Sequence, residues 1–220
     1  MAKQIWKAGN MLYPLPAVLV TCSDGVRDNV FTVSWAGTVC TDPPMVSISV
    51  RPQRYSHELI RKSREFVIAL TTGRLAAAAD YCGVASGRAE DKFAAAHLTR
   101  EKASLVGAPL IAESPVNIEC RVKQIIPLGS HDLFLAEVAA VQVDEAYLDA
   151  RGRLDLQKAD LLASSHGEYF TLGKRIGRFG YSVRKSSARS AGSLPPAGNR
   201  QPAEDSARKH RSGRKKENLH

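Results

Sequence analysis

Side chains that could bind a phosphorylated, ring-bearing ligand are concentrated between Asn29 and His57. Short hydroxyl residues recur through this stretch, and Trp35 offers an aromatic wall against which a flat ring could pack. Arg51 and Arg54 carry planar guanidinium groups that suit a phosphate, and a predicted helix begins beside them. An apolar core alone does not require so many small hydroxyls next to arginines. The stretch therefore predicts a site that combines a ring slot with a phosphate cradle.

The cofactor FMN makes the demands that this stretch could meet. It needs a flat apolar slot for its ring, hydrogen-bond donors at its pyrimidine edge and a cationic or N–H-rich cradle for its phosphate. Small polar groups are available, and Ser56 adds a hydroxyl at the positive end of a helix dipole. The alternative is that the hydroxyls face outward along strands and that the arginines lie in a solvated loop, so it is the combination that favours a cofactor. The small polar residues are Asn29, Thr32, Ser34 and Thr38.

The elements predicted to position these residues are mostly short strands. Asp24-Gly25 is typical of a hairpin turn, and Pro43-Pro44 interrupts the chain because prolines are excluded from strand centres. Apolar and polar residues alternate from Val116 to Lys123, as in a strand with one face in water. Short connections favour an antiparallel closed sheet over a doubly wound one. The predicted strands cover 17–22, 30–35, 45–50, 65–70, 116–123 and 133–143, and the predicted helices cover 55–64, 75–82 and 90–96.

Charge divides the chain into a body and a tail. The net charge is +9, but the ten Lys and Arg residues in 184–220 exceed the three acidic residues there by seven, which leaves +2 for the body. Residues 186–220 contain few large apolar side chains and many Ser, Gly and Pro, so they are predicted to be a disordered tail. The predicted division is a domain at 1–183 and a basic tail at 184–220. The tail could bind a polyanion through charge alone, whereas the body lacks a nucleic-acid-binding pattern.

The cysteines and the apolar runs exclude several classes of protein. Cys22, Cys40, Cys82 and Cys120 are widely separated, with no CxxC pair and no clustered histidines, so no metal site and no redox dithiol is predicted. Buried free thiols are expected. No apolar run reaches the roughly 18 residues of a membrane helix, and the N-terminus lacks the pattern of a signal peptide. The predicted location is the cytoplasm.

The order of motifs resembles a known family. PLPAVLVT at 14–21, NxxTVSWxGTxxxDPP from Asn29 and RPxRYSHxxI from Arg51 are similar to flavin-reductase-like domain proteins of the flavoredoxin type. The resemblance spans Trp6 to Ser182 and excludes the tail. It implies a mainly β, antiparallel FMN-binding split barrel with short helices. Three later segments agree: CGVASGRAEDKF at 82–93, GSHDLFLAEV at 129–138 and YFTLGKRIGRFGYS at 169–182.

The resemblance also implies roles for individual residues. His131 would stand near the nicotinamide of a bound substrate, although a lone histidine at a strand start more often binds a backbone carbonyl. Ser86 and Lys92 would close the site, from this subunit or from another, and Tyr169 would cover the flavin edge. The flavin ring and ribityl region would be held by Asn29, Thr32, Ser34, Trp35 and Thr38, and the phosphate side by Arg51, Arg54, Ser56 and His57.

The predicted function is that of an FMN-binding oxidoreductase. It would transfer a hydride from NAD(P)H to flavin and pass electrons to a small-molecule or protein acceptor. The resemblance further implies a homodimer with both sites at the subunit boundary. Two alternatives stay open, namely a flavin-binding electron carrier without nicotinamide activity and a protein that binds polyanions through its tail. The residues do not select the acceptor, do not distinguish NADH from NADPH and do not decide whether FMN stays bound or exchanges.

Overall fold

A computed structural model describes residues 1–183 of the chain. Met1–Arg175 form one compact unit. The predicted tail at 184–220 lies outside the described residues, and the domain boundary at 183 stays a prediction. Within 1–183, no helix is both long enough and apolar enough to cross a membrane.

Strands predominate in the described part of the chain, and the helices are short. The two longest strands have 12 residues each, and the two longest helices have nine. The strands are β1 (Leu15–Pro16), β2 (Val18–Ser23), β3 (Asp28–Val33), β4 (Ala36–Thr41), β5 (Pro44–Val50), β6 (Glu65–Ala69), β7 (Arg100–Glu101), β8 (Leu110–Ile111), β9 (Val116–Pro127), β10 (Asp132–Val143), β11 (Leu162–Ser165) and β12 (Glu168–Thr171). The α-helices are α1 (Tyr55–Ser63), α2 (Ala76–Val84), α3 (Lys92–Ala95) and α4 (Leu156–Ala159).

Seven antiparallel strands form the main sheet, in the order β3-β2-β6-β9-β10-β5-β4. β3 and β4 follow each other in the chain but lie at opposite edges of this order, and only Ser34 and Trp35 connect them. The three Cα–Cα steps from Val33 to Ala36 can span only about 11 Å, so the sheet must curve until its edges approach each other. Among the described strands, no hydrogen-bonded ladder joins β3 to β4. We call the line between these two strands the seam.

Both faces of β2 are covered, which explains its continuous apolar sequence. Val20 faces the barrel interior and belongs to the same core as Phe134. Leu19 points the other way and packs in a second core with Phe93 of α3. The barrel therefore has an inner core and an outer core that lies under the short helices.

Most of the predicted elements are present, and the mainly β, antiparallel prediction is confirmed. The predicted hairpin appears as β2 paired with β3, and the helix predicted at 55–64 appears as α1. The prediction of a strand over 30–35 was wrong at its end, where Ser34 and Trp35 form the link across the seam. The strand β4 was missed because its residues AGTVCT are mostly exposed and show no alternation of apolar and polar side chains.

Candidate functional site

The first of two adjoining cavities lies at the seam, beside the Ser34-Trp35 link. It measures about 200 Å³, and we call it the ring cavity because Trp35 gives it an aromatic wall. The end of β3, the end of β5 and the residue before β10 bring its walls together. Its lining includes Phe31, Thr32, Ser34, Trp35, Ser49, Arg51, Arg54 and His131.

Trp35 and His131 stack at a tilt in the ring cavity. Their ring centroids are 4.6 Å apart and their planes make an angle of 36°. Ser130 Oγ lies 2.9 Å from His131 Nδ1. Burial lowers the pKa of His131 below its ordinary value, and the neighbouring Arg51 lowers it further. The imidazole is therefore neutral at neutral pH, so it offers one donor and one acceptor.

The second cavity adjoins the first and measures about 130 Å³. Phe31 and Arg54 line both cavities. Among the residues that the structure describes, neither lining contains Asp or Glu. We call this space the phosphate cavity, because cationic groups without carboxylates suit an anionic ligand. Its lining also includes Asn29, Gln53, Tyr55, Ser56, Ala85, Ser86, Gly87 and Lys92.

Lys92 places a buried ammonium group at the wall of the phosphate cavity. The residue is 3% exposed. Its Nζ donates hydrogen bonds to the carbonyl oxygen atoms of Cys82 at 3.0 Å and Ala85 at 3.3 Å. Burial lowers the pKa of Lys92 below its ordinary value. An ammonium group has three N–H donors, so the two carbonyls leave one donor for an acceptor in the cavity.

Helix α1 begins at the same cavity. Arg54 precedes the helix with extended backbone, and no side chain caps its first turn. In that turn the N–H of His57 donates to the carbonyl oxygen of Arg54 at 3.0 Å. The N–H groups of Tyr55 and Ser56 are left for another acceptor, and the helix dipole there favours an anion. Ser56, in this first turn, is almost fully buried. The helix start therefore adds donors beside the guanidinium of Arg54 and the ammonium of Lys92.

Asn29 joins β3 to the helix start. Its Nδ2 donates to Ser56 Oγ at 2.7 Å, and both residues are buried. The Asn29 side chain passes close to Gly87, where an added Cβ would lie 2.0 Å from Asn29 Oδ1. Only a residue without a side chain fits there. Gly87 thus permits the contact between β3 and the loop that carries Ser86, which is exposed at the cavity.

Thr32 lines the ring cavity and His57 lies beside Ser56 in α1, and each already has a side-chain hydrogen bond within the protein. Thr32 Oγ1 donates to the carbonyl oxygen of Ala79, which ties β3 to α2. His57 is buried in α1, and its Nε2 lies 2.7 Å from Asp132 Oδ2. The hydroxyl of Thr32 is thus engaged with the protein itself. His57 lines neither cavity, so the structure does not bring it to the predicted phosphate side.

Thr38 and Tyr169 are not brought to either cavity by the described residues. Thr38 is exposed on β4, opposite Val46 of β5. Tyr169 lies on β12, and its hydroxyl donates to Asp80 Oδ1 of α2 at 3.3 Å. The predicted role of Tyr169 in covering the flavin edge would require its side chain to reach a cavity that it does not line here, and that role stays a prediction.

Sequence reasoning missed eight of the described residues that line the two cavities, and four of them show why. Phe31 lies in a predicted strand with Val30 and Val33, so the sequence does not distinguish it from a core residue. Ser49 likewise lies within a predicted strand and shows no sign of a binding role. Gln53 lines the phosphate cavity just before α1. Gly87 lies in the segment CGVASGRAEDKF, which resembles the family, but its close contact with Asn29 is visible only in three dimensions.

The fold places this protein among the split-barrel flavin proteins. The flavoredoxin of Desulfovibrio vulgaris (Miyazaki F) has a TM-score of 0.78 and 31% identity, over 83% of this chain and 100% of that chain. The FMN-binding protein of Thermus thermophilus, solved with bound 1-cyclohex-2-enone, has a TM-score of 0.66 and 26% identity, over 78% of this chain and 93% of that chain. The predicted split barrel is confirmed.

Sequence comparison identifies the family. The family model described as "Flavin reductase like domain" matches residues 10–171, so the chain belongs to that family. The NADPH-flavin oxidoreductase of Streptomyces viridifaciens is 30% identical over 142 residues, which are 64% of this chain and 68% of that protein. The family resemblance seen in the motifs is therefore confirmed.

Proposed function

We propose that this protein is an FMN-binding oxidoreductase that transfers a hydride from NAD(P)H to flavin and passes electrons on to an acceptor. The observation that carries the proposal is the pair of adjoining, acid-free cavities at the seam, one with an aromatic wall and the other with a buried ammonium group. The similarity to a named NADPH-flavin oxidoreductase supports the same reaction class.

The residues present fit FMN. The third donor of Lys92, the guanidinium of Arg54 and the first turn of α1 would hold the phosphate. Phe31 and Trp35 would pack against the ring, and Ser34 would supply a hydrogen bond at its polar edge. When bound, FMN supplies the chemistry of accepting a hydride from a reduced nicotinamide and releasing electrons singly or in pairs.

The side chains around the ring cavity would bind and orient rather than exchange protons. His131 is neutral at neutral pH, so it would hydrogen-bond the nicotinamide amide rather than protonate a substrate. Arg51 also lines the ring cavity and would attract the phosphates of the nicotinamide nucleotide. Donors such as Ser34 would stabilise the negative charge that develops at the polar edge of the ring on reduction.

A spectroscopic experiment tests the cofactor, and a kinetic experiment tests the reaction. Purified protein mixed with FMN should show the flavin absorption bands and quench FMN fluorescence. Anaerobic stopped-flow mixing of the FMN complex with NADH or NADPH should then bleach the bands. Protein that neither retains FMN nor quenches it would refute the proposal. Retention without bleaching by either nucleotide would identify an electron carrier instead.

Substitution of His131 tests its proposed contact with the nicotinamide. The His131→Ala variant should keep most of its FMN affinity, since the imidazole does not line the cavity that would hold the phosphate. It should need about tenfold more NAD(P)H for half-maximal reduction, because one positioned hydrogen bond is worth up to about 1.5 kcal/mol and about 1.4 kcal/mol corresponds to tenfold. An unchanged dependence on NAD(P)H would remove His131 from the site.

We further propose that the protein acts as a homodimer. The support is apolar surface near the seam, where Trp35 is 38% exposed and Val39 is 51% exposed. A groove of about 700 Å³ runs beside Trp35, between β4 and the segment 9–15. Burying this surface in a second copy would shield the ring cavity from water. Light scattering on a gel-filtration peak should return twice the chain mass, and a monomer that still binds FMN tightly would contradict the proposal.

A further inference from the structure

A partly buried hydrogen bond links helix α1 to the start of β10, and neither of its partners is among the described residues that line the ring cavity or the phosphate cavity. His57 Nε2 lies 2.7 Å from Asp132 Oδ2, and the two side chains are 10% and 18% exposed. The imidazole of His57 also meets the ring of Phe134 edge-on, at 5.2 Å between centroids. Fixed on one side by an aromatic ring and on the other by a carboxylate, the histidine has little freedom to rotate.

Each partner stands next to a residue of the site. His57 follows Ser56, which lines the phosphate cavity, and Asp132 follows His131, which lines the ring cavity. His131 is the last residue of a turn, and Asp132 is the first residue of the strand that follows. A bond that holds Asp132 toward α1 therefore fixes the backbone from which the His131 side chain extends into the ring cavity. The hydrogen bond between His57 and Asp132 thus connects the segment at the phosphate cavity to the segment at the ring cavity without a ligand.

The backbone before Asp132 offers few other restraints on His131. Residues 128–131 form a turn, in which the N–H of Leu128 donates to the carbonyl oxygen of His131 and Gly129 has a positive φ. Leu128 is 59% exposed. Asp132 is the first residue of β10 and pairs with Val50 of β5 on one side and with Pro127 of β9 on the other. It is the point at which an exposed turn becomes anchored in the sheet.

We propose that Asp132, held by His57, is a positioning residue that sets the orientation of His131 in the ring cavity. The inference rests on the proposed function in so far as His131 is taken to contact the nicotinamide. Asp132 does not touch substrate or cofactor in this assignment and acts only through its neighbour. His57, which the motif resemblance placed at the phosphate, has its role reassigned to holding Asp132.

The first readout is the environment of the His131 ring, which needs neither cofactor nor substrate. Its NMR signals, identified by their loss in His131→Ala, report the distance and tilt relative to Trp35. Asp132→Ala should shift these signals clearly. Asp132→Asn should leave them close to the wild type, because an amide oxygen can still accept from Nε2–H of His57. Glu137→Ala is the matched control, since Glu137 is a carboxylate on the same strand that binds Lys123 on the surface.

The second readout separates a positioning role from a merely structural one. In the FMN complex, Asp132→Ala should raise the NAD(P)H concentration for half-maximal reduction by about tenfold, with FMN affinity within about twofold of the wild type. Asp132→Asn should recover most of that loss. In a His131→Ala background, Asp132→Ala should have no further effect, since a residue that acts only through His131 has nothing left to position.

The outcomes distinguish this inference from the proposed function. If His131→Ala is impaired but Asp132→Ala is not, or if the two losses add, the positioning role is refuted while the proposed reaction stands. If Asp132→Ala weakens FMN binding as much as NAD(P)H use, its role is structural and the inference is wrong. If neither nucleotide reduces the flavin, the proposed reaction fails, and the NMR comparison alone decides whether Asp132 orients His131.

Discussion

The ammonium of Lys92 gives the site its most distinctive single group. A buried lysine is costly to keep charged, yet two carbonyls hold this one in place with one donor to spare. Lys92→Met should weaken FMN binding by about 1.5 to 3 kcal/mol, the range for a hydrogen bond to a charged group, and should weaken riboflavin binding much less. Fluorescence titration with both ligands measures the difference. Equal losses for the two ligands would show that Lys92 does not hold the phosphate.

Because the pKa of Lys92 is lowered, the preference for FMN over riboflavin should depend on pH. Burial favours the neutral amine, so the charge is lost at a lower pH than for an exposed lysine. As the pH rises through that lowered pKa, the preference for FMN over riboflavin should shrink in the wild type. The preference in Lys92→Met should not change over the same range. Lys62→Met is a suitable control, because Lys62 is an exposed cation that binds Glu58 at 2.7 Å.

Gly87 is a position where adding one methyl group should disturb both stability and binding. An alanine Cβ would overlap Asn29 Oδ1, so the Asn29 side chain must move away from Ser56. Gly87→Ala should lower the free energy of unfolding by about 1 to 3 kcal/mol and weaken FMN binding, as measured by urea unfolding and by titration. Gly173→Ala, where an added Cβ meets nothing within 4 Å, should change neither quantity appreciably.

At the scale of elements, Glu119 anchors a loop to the sheet. It is a fully buried residue of β9, and its carboxylate accepts hydrogen bonds from the backbone N–H of Ser104 at 3.1 Å, the backbone N–H of Leu105 at 2.6 Å and Gln142 Nε2 at 2.7 Å. Glu119→Gln should cost about 1 to 3 kcal/mol at neutral pH, because an amide NH₂ would face these donors. Glu137→Gln, on the exposed face of β10, should cost less than about 0.5 kcal/mol.

The pH dependence of the free energy of unfolding gives a second test of the role of Glu119. Burial raises the pKa of Glu119, but the hydrogen bonds from Gln142 and from backbone N–H groups outweigh burial and leave it below the ordinary 4.5. Its contribution is complete above the unfolded value and is lost as the pH falls through the lower native pKa. The free energy of unfolding should therefore fall less steeply below about pH 4.5 in Glu119→Gln than in the wild type. Parallel curves would contradict this assignment.

Local patterns in the sequence predicted the elements that have strong local signals. The alternation from Val116 onward predicted β9, and the motif around Arg54 predicted α1. β4 could not be predicted because its exposed, small residues carry no periodicity, and its strand geometry comes from pairing with β5. Pairing across the sheet depends on the whole fold, which a local pattern does not report.

The same difference between local patterns and long-range pairing applies to the candidate site. Trp35 and Arg54 line the cavities because they lie where β3 and β5 end, and that position could be read from strand boundaries. Thr38 and Tyr169 lie on β4 and β12, whose places in the fold are set by long-range pairing. A sequence pattern could not tell which hydroxyls already donate hydrogen bonds within the protein, as the bond from Thr32 to Ala79 shows.

At the scale of the whole molecule, the candidate site and the basic segment lie far apart in the sequence. Every described residue that lines either cavity precedes residue 132. A shortened chain that ends at residue 183 should therefore bind FMN as tightly as the full chain. It should bind heparin much more weakly, since seven of the nine net positive charges lie beyond that point. Loss of FMN binding on shortening would show that the basic segment contributes to the site.

The seam has a consequence for how a bulky planar ligand gains entry. Because the described strands β3 and β4 share no ladder, separating them breaks no backbone hydrogen bond between those two strands. Each other pair of neighbouring strands in the main sheet is joined by backbone hydrogen bonds. The seam is therefore the line of this sheet at which the approach of a three-ring heterocycle would disrupt no backbone ladder.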